Sequence, residues 1–208
     1  MAHECRVYLL TPPVLPADFP DLLARVLDAG DVAALQLRLK QVTDEEWRRA
    51  VDMVRPIAHA RGVALILNER PDLAVETGCD GAHVGRDQVL PREARRILGE
   101  QLQLGVSCGD SRDAAMSAGE AGADYVSFGA FFPSTTKITD IRADLDLLRW
   151  WSELMELPVV AVGGIDAGNC GPLVRAGADF LAVTAAVWGH PDGAAAGLRA
   201  LNAAIAAA

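Results

Sequence analysis

Short apolar, β-rich runs alternate along the whole chain with longer segments whose apolar residues return every third or fourth position. A brief, nearly continuous apolar run suits a strand of a parallel sheet, covered on both faces, and the longer periodic segments suit the helices that cover it. The runs predict strands at Arg6–Leu10, Val32–Arg38, Val63–Asn68, Gly81–Val84, Leu102–Ser107, Tyr125–Gly129, Val159–Gly163 and Phe180–Thr184. Between them the spacing predicts helices at Phe19–Ala29, Asp44–Ala60, Asp72–Thr77, Pro91–Leu98, Ser111–Ala121, Leu145–Glu156, Gly168–Ala176 and Ala194–Ala206. In the second helix Trp47, Val51, Val54 and Ile57 share one face. Thr43 with Glu46 three residues on is a capping-box pattern at its start, and Pro91 suits the first turn of a helix.

Eight βα units in strict order fit a closed barrel or an open doubly wound sheet. Their regular spacing favours closure, and no G-x-G-x-x-G follows an early strand as a dinucleotide fold would require. The expected fold is therefore α/β, a (β/α)8 TIM barrel, with residues 1–208 as one domain and short loops. About half the residues are hydrophobic and only 5% are aromatic, in keeping with Ala, Val and Leu packed between helix and sheet.

The formal net charge of −9 argues against nucleic acid as a partner, because that binding depends on clustered Lys and Arg. No targeting segment is recognisable and no apolar run approaches the ~20 residues needed to cross a bilayer, so a cytoplasmic protein with no membrane partner is expected. Cys5, Cys79, Cys108 and Cys170 form no C-x-x-C pair and read as reduced structural thiols. One chain's sequence sets no oligomeric state.

Candidate chemistry gathers where strands end, since the βα loops of a barrel meet at its C-terminal rim. Alternation along the second strand sends Gln36, Arg38 and Lys40 to one face, where two cations and an amide suit a pyrophosphate, although basic residues snorkelling from a strand end would look the same. Asn68 closes the third strand, and Glu69 and Asp87 are candidate oxygen ligands for Mg²⁺. A rim salt bridge between Glu69 and Arg86 is the simpler alternative. His83 precedes its strand's end and reads as an interior, hydrogen-bonded histidine. Ser134, Thr136 and Lys137 follow strand six and Gly163-Gly164 closes strand seven; hydroxyls, a lysine and glycine amides are what a phosphate monoester requires, with Val183–Ala186 completing the cup. Trp150, Trp151 and Trp188 read as packing residues.

On these residues the chain resembles thiamine-phosphate synthase and the related thiazole tautomerase branch. The resemblance runs from about residue 6 to residue 188 and rests on Gln36-Leu37-Arg38-x-Lys40, Leu67-Asn68, Asp80-Gly81-x-His83-Val84-Gly85, Gly105-Val106-Ser107, Gly122-Ala123-Asp124-Tyr125, Phe132-Pro133-x-x-Thr136-Lys137, Val162-Gly163-Gly164-Ile165 and Gly177-Ala178-Asp179. It implies a transferase that joins an aminopyrimidine methyl diphosphate to a thiazole phosphate and releases pyrophosphate. By the same resemblance Gln36, Arg38, Lys40, Asn68, Ser107 and Lys137 would bind the diphosphate, with Arg38 and Lys137 stabilising the leaving group. Thr136 and Gly164 would hold the thiazole phosphate, with Ser134 in place of the family's usual threonine.

The chain departs from the family pattern at several positions. Glu69 stands for an aspartate, and Gly85-Arg86-Asp87-Gln88 replaces Gly-Gln-Glu-Asp, so both metal-ligand positions differ. Leu39, Gly109 and Ala185 stand where an acid, a histidine and a serine are usual. These changes motivate an alternative, a barrel that binds phosphate ligands without synthase activity. The tautomerase alternative needs a base, and Ala130 occupies the position where that branch would carry a histidine.

Overall fold

The computed structural model describes residues 5–85, 89–133 and 142–208. Eight parallel strands close in sequence order into a barrel. They are β1 (Arg6–Leu10), β2 (Ala34–Leu37), β3 (Ala64–Asn68), β4 (Gly81–Val84), β5 (Gln103–Gly109), β6 (Tyr125–Phe128), β7 (Val159–Val162) and β8 (Phe180–Val183). The covering helices are α1 (Phe19–Leu27), α2 (Asp44–His59), α3 (Pro71–Thr77), α4 (Pro91–Leu98), α5 (Arg112–Glu120), α6 (Leu145–Leu154), α7 (Gly171–Arg175), α8 (Ala185–Trp188) and α9 (Ala194–Ala206). The predicted capping box is present: Thr43 Oγ1 accepts from the Glu46 amide, and the Glu46 carboxylate accepts from the Thr43 amide at 2.7 Å.

Most elements match the sequence expectation to within two residues at either end, β2 among them at Ala34–Leu37 against Val32–Arg38, and two differ by more. Helix α7 begins at Gly171 rather than Gly168, because Asp166 and Asn169 hold the intervening residues in a separate capped turn. Helix α8 was not predicted; its single turn, Ala185–Trp188, is too short to show a helical period and merges in sequence with the apolar run of β8.

Strand alternation divides the apolar residues into two cores. Outward-facing Leu9, Leu35, Leu37, Leu65, Leu67, Leu104 and Leu181 pack under the helices, while Tyr8, Ala34, Ile66, Tyr125, Val160 and Ala182 fill the barrel interior. The N-terminal end of the barrel is fastened by a repeated device. Asp80, Asp124 and Asp179, each in a Gly-x-Asp triplet before an even-numbered strand, accept through Oδ2 from the amides of Leu65, Leu104 and Val159 at 2.7, 2.7 and 2.6 Å. The backbone amide of each aspartate donates to the carbonyl of the same partner, so each triplet clamps the start of the preceding strand twice. The tryptophans serve packing: Trp151 meets Phe128 edge-on, Trp188 lies against Phe19, and Arg112 sits 4.5 Å over Trp150. No helix among the described residues is long and apolar enough to cross a membrane.

Candidate active site

At the C-terminal end of the strands the barrel opens into a cavity of about 600 Å³, within the usual size range of small-molecule sites. Gln36, Arg38, Asn68, Glu69, Ser107 and Gly164, nominated from separate stretches of sequence, all line it. Lys40 is placed elsewhere. Strand β2 ends at Leu37, the alternation that would have turned Lys40 inward stops there, and its side chain is exposed and outside the cavity walls. Ser134, Thr136, Lys137 and Asp87 lie outside the described residues, as do Arg86, Gln88 and most of the segment 138–144, which the sequence left as either a flap or a fixed connector.

The position of Arg38 is fixed by its backbone, since its amide donates to the buried Thr11 hydroxyl at 3.0 Å. Glu69 adopts a left-handed backbone, φ 69°, and donates its amide to the His83 carbonyl at 2.8 Å. A non-glycine residue with positive φ carries a conformational cost, and such residues cluster at functional sites. Arg70, beside it, is turned outward to Asp44 and Asp72, with Nη1 2.6 Å and Nη2 2.7 Å from their carboxylates. Glu69 is thus left as a cavity-wall carboxylate.

Below the mouth runs a buried chain of polar groups contributed by five strands. Gln36 Nε2 donates to the Tyr8 hydroxyl at 3.2 Å, which lies 2.8 Å from the Tyr125 hydroxyl. Tyr125 is 3.2 Å from His83 Nδ1, and His83 Nε2 is 2.9 Å from Ser107 Oγ. Ser127 Oγ donates to Ser107 Oγ at 3.5 Å, a marginal bond. Burial drives both phenols well above their ordinary pKa, so both remain protonated. His83 is, as the sequence suggested, an interior histidine with both ring nitrogens in hydrogen-bond contact. Gly105 makes the chain possible: a Cβ there would lie 2.3 Å from the Tyr125 hydroxyl and 2.4 Å from His83 Nδ1. Tyr8, Tyr125 and Ser127 were not singled out from sequence, although each is in strand phase with an inward-facing neighbour.

The opposite wall is built from backbone. Gly163 (φ 106°) and Gly164 (φ 62°) make a turn that a side chain would obstruct, since a Cβ on Gly164 would meet the Pro133 carbonyl oxygen at 2.3 Å. The amides of Gly164 and Ile165 donate to no group among the described residues, and both residues line the cavity with Thr184, Ala185 and Ala186. Unpaired amides around a glycine turn form an anion-binding concavity. One end of the cavity therefore offers Arg38 with the Gln36, Asn68 and Ser107 side chains, and another offers amides.

A family model described as thiamine monophosphate synthase matches residues 7–187. The chain belongs to the thiamine monophosphate synthase family. Two thiamine-phosphate synthases of this family are near relatives. That of Rhodospirillum centenum is 56% identical over 96% of this chain and 97% of its own length, and that of Hyphomonas neptunium is 46% identical over 95% and 92%. The thiamine phosphate pyrophosphorylase of Pyrococcus furiosus superposes with a TM-score of 0.85 at 26% identity, covering 99% of this chain and 98% of that one. Membership of the synthase family is thus carried by the whole barrel, and the relatives' lengths match this chain's.

Proposed function

We propose that this chain is a thiamine-phosphate synthase, a transferase that couples an aminopyrimidine methyl diphosphate to a thiazole phosphate with release of pyrophosphate. The observation that carries the reading is that one cavity joins Arg38, Gln36, Asn68 and Ser107 to the unpaired amides of Gly164 and Ile165. Two separately placed anion-binding groups suit two phosphate-bearing small molecules held against each other, and holding them so removes much of the entropic barrier to a two-substrate reaction.

In this reading Gln36, Arg38, Asn68 and Ser107 bind the diphosphate, with Lys137 as a further cation; Lys40, exposed and off the cavity wall, is not part of that set. Gly164, Ser134 and Thr136 hold the thiazole phosphate. Arg38 and Lys137 stabilise the charge that collects on pyrophosphate as the bond to the pyrimidine methylene breaks, and the thiazole nitrogen captures that carbon. Little acid–base chemistry is required, in keeping with phenols whose protons are held by burial.

The family's metal is Mg²⁺. The hard oxygen donors at the mouth fit it: Glu69, with Asp87 beyond the described residues, would hold the ion together with substrate phosphate oxygens. When bound, it would neutralise part of the leaving group's charge.

Tautomerase activity is less well supported, because Ala130 brings only a methyl group to the cavity wall. The test is formation of thiamine phosphate from both substrates with Mg²⁺, compared between the wild-type protein and Arg38→Ala. Turnover by the wild type and a loss of at least about a hundredfold in the variant are expected, the scale of a removed charged transition-state contact. Absence of product at high enzyme concentration would instead favour the ligand-binding barrel.

A further inference from the structure

The turn that carries the unpaired amides is gripped from outside by one side chain. Asn169 Nδ2 donates to the Gly164 carbonyl at 2.9 Å, and its Oδ1 accepts from the Asp166 amide at 2.9 Å. A backbone carbonyl can only accept and a backbone amide can only donate, so the orientation of the Asn169 amide is fixed by its partners. Asp166 returns the contact: its Oδ1 accepts from the amides of Gly168 and Asn169 at 2.8 and 3.1 Å. That reciprocal pair is sufficient to cap the turn leading to α7. The bond from Asn169 to Gly164 is not part of that cap.

Its effect follows from peptide geometry. The Gly164–Ile165 peptide is planar and trans, so its C=O and N–H point in opposite directions. Holding the Gly164 oxygen toward Asn169 sends the Ile165 N–H the other way. Ile165 lines the cavity, and its amide has no partner among the described residues. Glycine at positive φ offers little resistance to rotation of the adjoining peptide plane, so the turn's own backbone does not hold this plane.

We propose that Asn169 is a positioning residue for the anion subsite: through the Gly164 carbonyl it orients the Ile165 N–H toward the phosphate of the incoming substrate. The inference rests on the reading of this turn as the thiazole-phosphate subsite, and assigns the role to a side chain that does not line the cavity.

The experiment uses the full chain and two neutral variants, Asn169→Ser and Asn169→Ala, so that weaker anion binding cannot come from added negative charge. Inorganic phosphate is titrated into each protein, with affinity read by calorimetry and the Ile165 amide followed by ¹H–¹⁵N NMR. In the wild type the Ile165 resonance moves on saturation. In either variant that folds, phosphate affinity falls by about tenfold, the scale of one anchored hydrogen bond with reorientation of the plane it held, and the Ile165 response shrinks. In steady-state assays the KM for thiazole phosphate rises by a similar factor, while the KM for the pyrimidine diphosphate stays within about twofold. Unchanged phosphate affinity with an unchanged Ile165 response would overturn the proposal. So would an equal rise in both KM values, which would mark a general disturbance, or a wild type whose Ile165 amide ignores phosphate. A protein that binds phosphate through Ile165 yet forms no thiamine phosphate would refute the synthase reading and leave this one standing.

Discussion

Replacing Tyr125 by Phe removes one oxygen and leaves the ring in place. That oxygen sits between the Tyr8 hydroxyl at 2.8 Å and His83 Nδ1 at 3.2 Å. Tyr125 is buried and, unlike its partners Tyr8 and His83, is not among the residues lining the cavity. Two hydrogen bonds at about 0.5–1.5 kcal/mol each are lost, for a total of about 1–3 kcal/mol. For a domain of this size that lowers Tm by about 2–12 °C. Tyr8→Phe removes the hydroxyl one place along the chain. Tyr8 and its partner Gln36 both line the cavity, so water can take the place of the lost hydroxyl at Gln36, and the expected cost is only about 1 kcal/mol. The double variant costs less than the sum of the two, because both single changes break the shared bond. Urea or thermal unfolding of the three variants is the assay. If Tyr125→Phe proves no more destabilising than Tyr8→Phe, the enclosed position assigned to Tyr125 is wrong.

Gly105→Ala places a methyl group within 2.4 Å of both the Tyr125 hydroxyl and His83 Nδ1 and forces them apart; it is expected to destabilise the fold by about 1–3 kcal/mol, read by denaturant unfolding. Gly164→Ala combines a left-handed φ of 62° with a clash against the Pro133 carbonyl oxygen, and should raise the KM for thiazole phosphate by about tenfold or more by displacing the amide turn. Burial pushes the Cys5 thiol up to about 12 and the Cys79 thiol up to about 11. A thiol with a raised folded-state pKa contributes stability that is fully present below its unfolded value, here 9.0, and is lost as pH rises through the folded value. Tm should therefore decline above about pH 9, less so in Cys5→Ala, and a thiol reagent at pH 8 should label the native protein slowly and the unfolded protein at all four cysteines.

The barrel was legible because its signal is periodic. Each strand's apolar run and each helix's repeating face recur at similar spacing, and that regularity favoured closure over an open sheet. What escaped was local. The single turn of α8, four residues, is too short for a helical period to repeat, and α7 starts late because Asp166 and Asn169 cap a turn that reads in sequence as more helix. At the site, residues at strand ends were legible because alternation sets their direction: Gln36, Arg38, Asn68 and Ser107 face the cavity. The same rule misplaced Lys40: β2 ends at Leu37, and whereas Arg38, the next residue, is still held in place by its amide's bond to Thr11, Lys40 lies three residues past the strand and no longer inherits its direction. Tyr8 and Tyr125 were obscured for the opposite reason. Aromatic residues inside strands read as core, and only the three-dimensional meeting of β1 with β6 across the barrel interior joins their hydroxyls. Asn169 acts through a carbonyl five residues earlier, a contact that sequence spacing alone does not mark.

The coupling of two phosphate-bearing substrates in one rim cavity can be followed directly by ³¹P NMR in a single sample containing the protein, Mg²⁺, the pyrimidine diphosphate and the thiazole phosphate. Free pyrophosphate should appear in step with loss of the diphosphate resonances, only when both substrates are present, and with one new phosphomonoester signal per pyrophosphate released. Pyrophosphate released without the thiazole phosphate, or spectra that stay unchanged over many hours at high protein concentration, would contradict that chemistry.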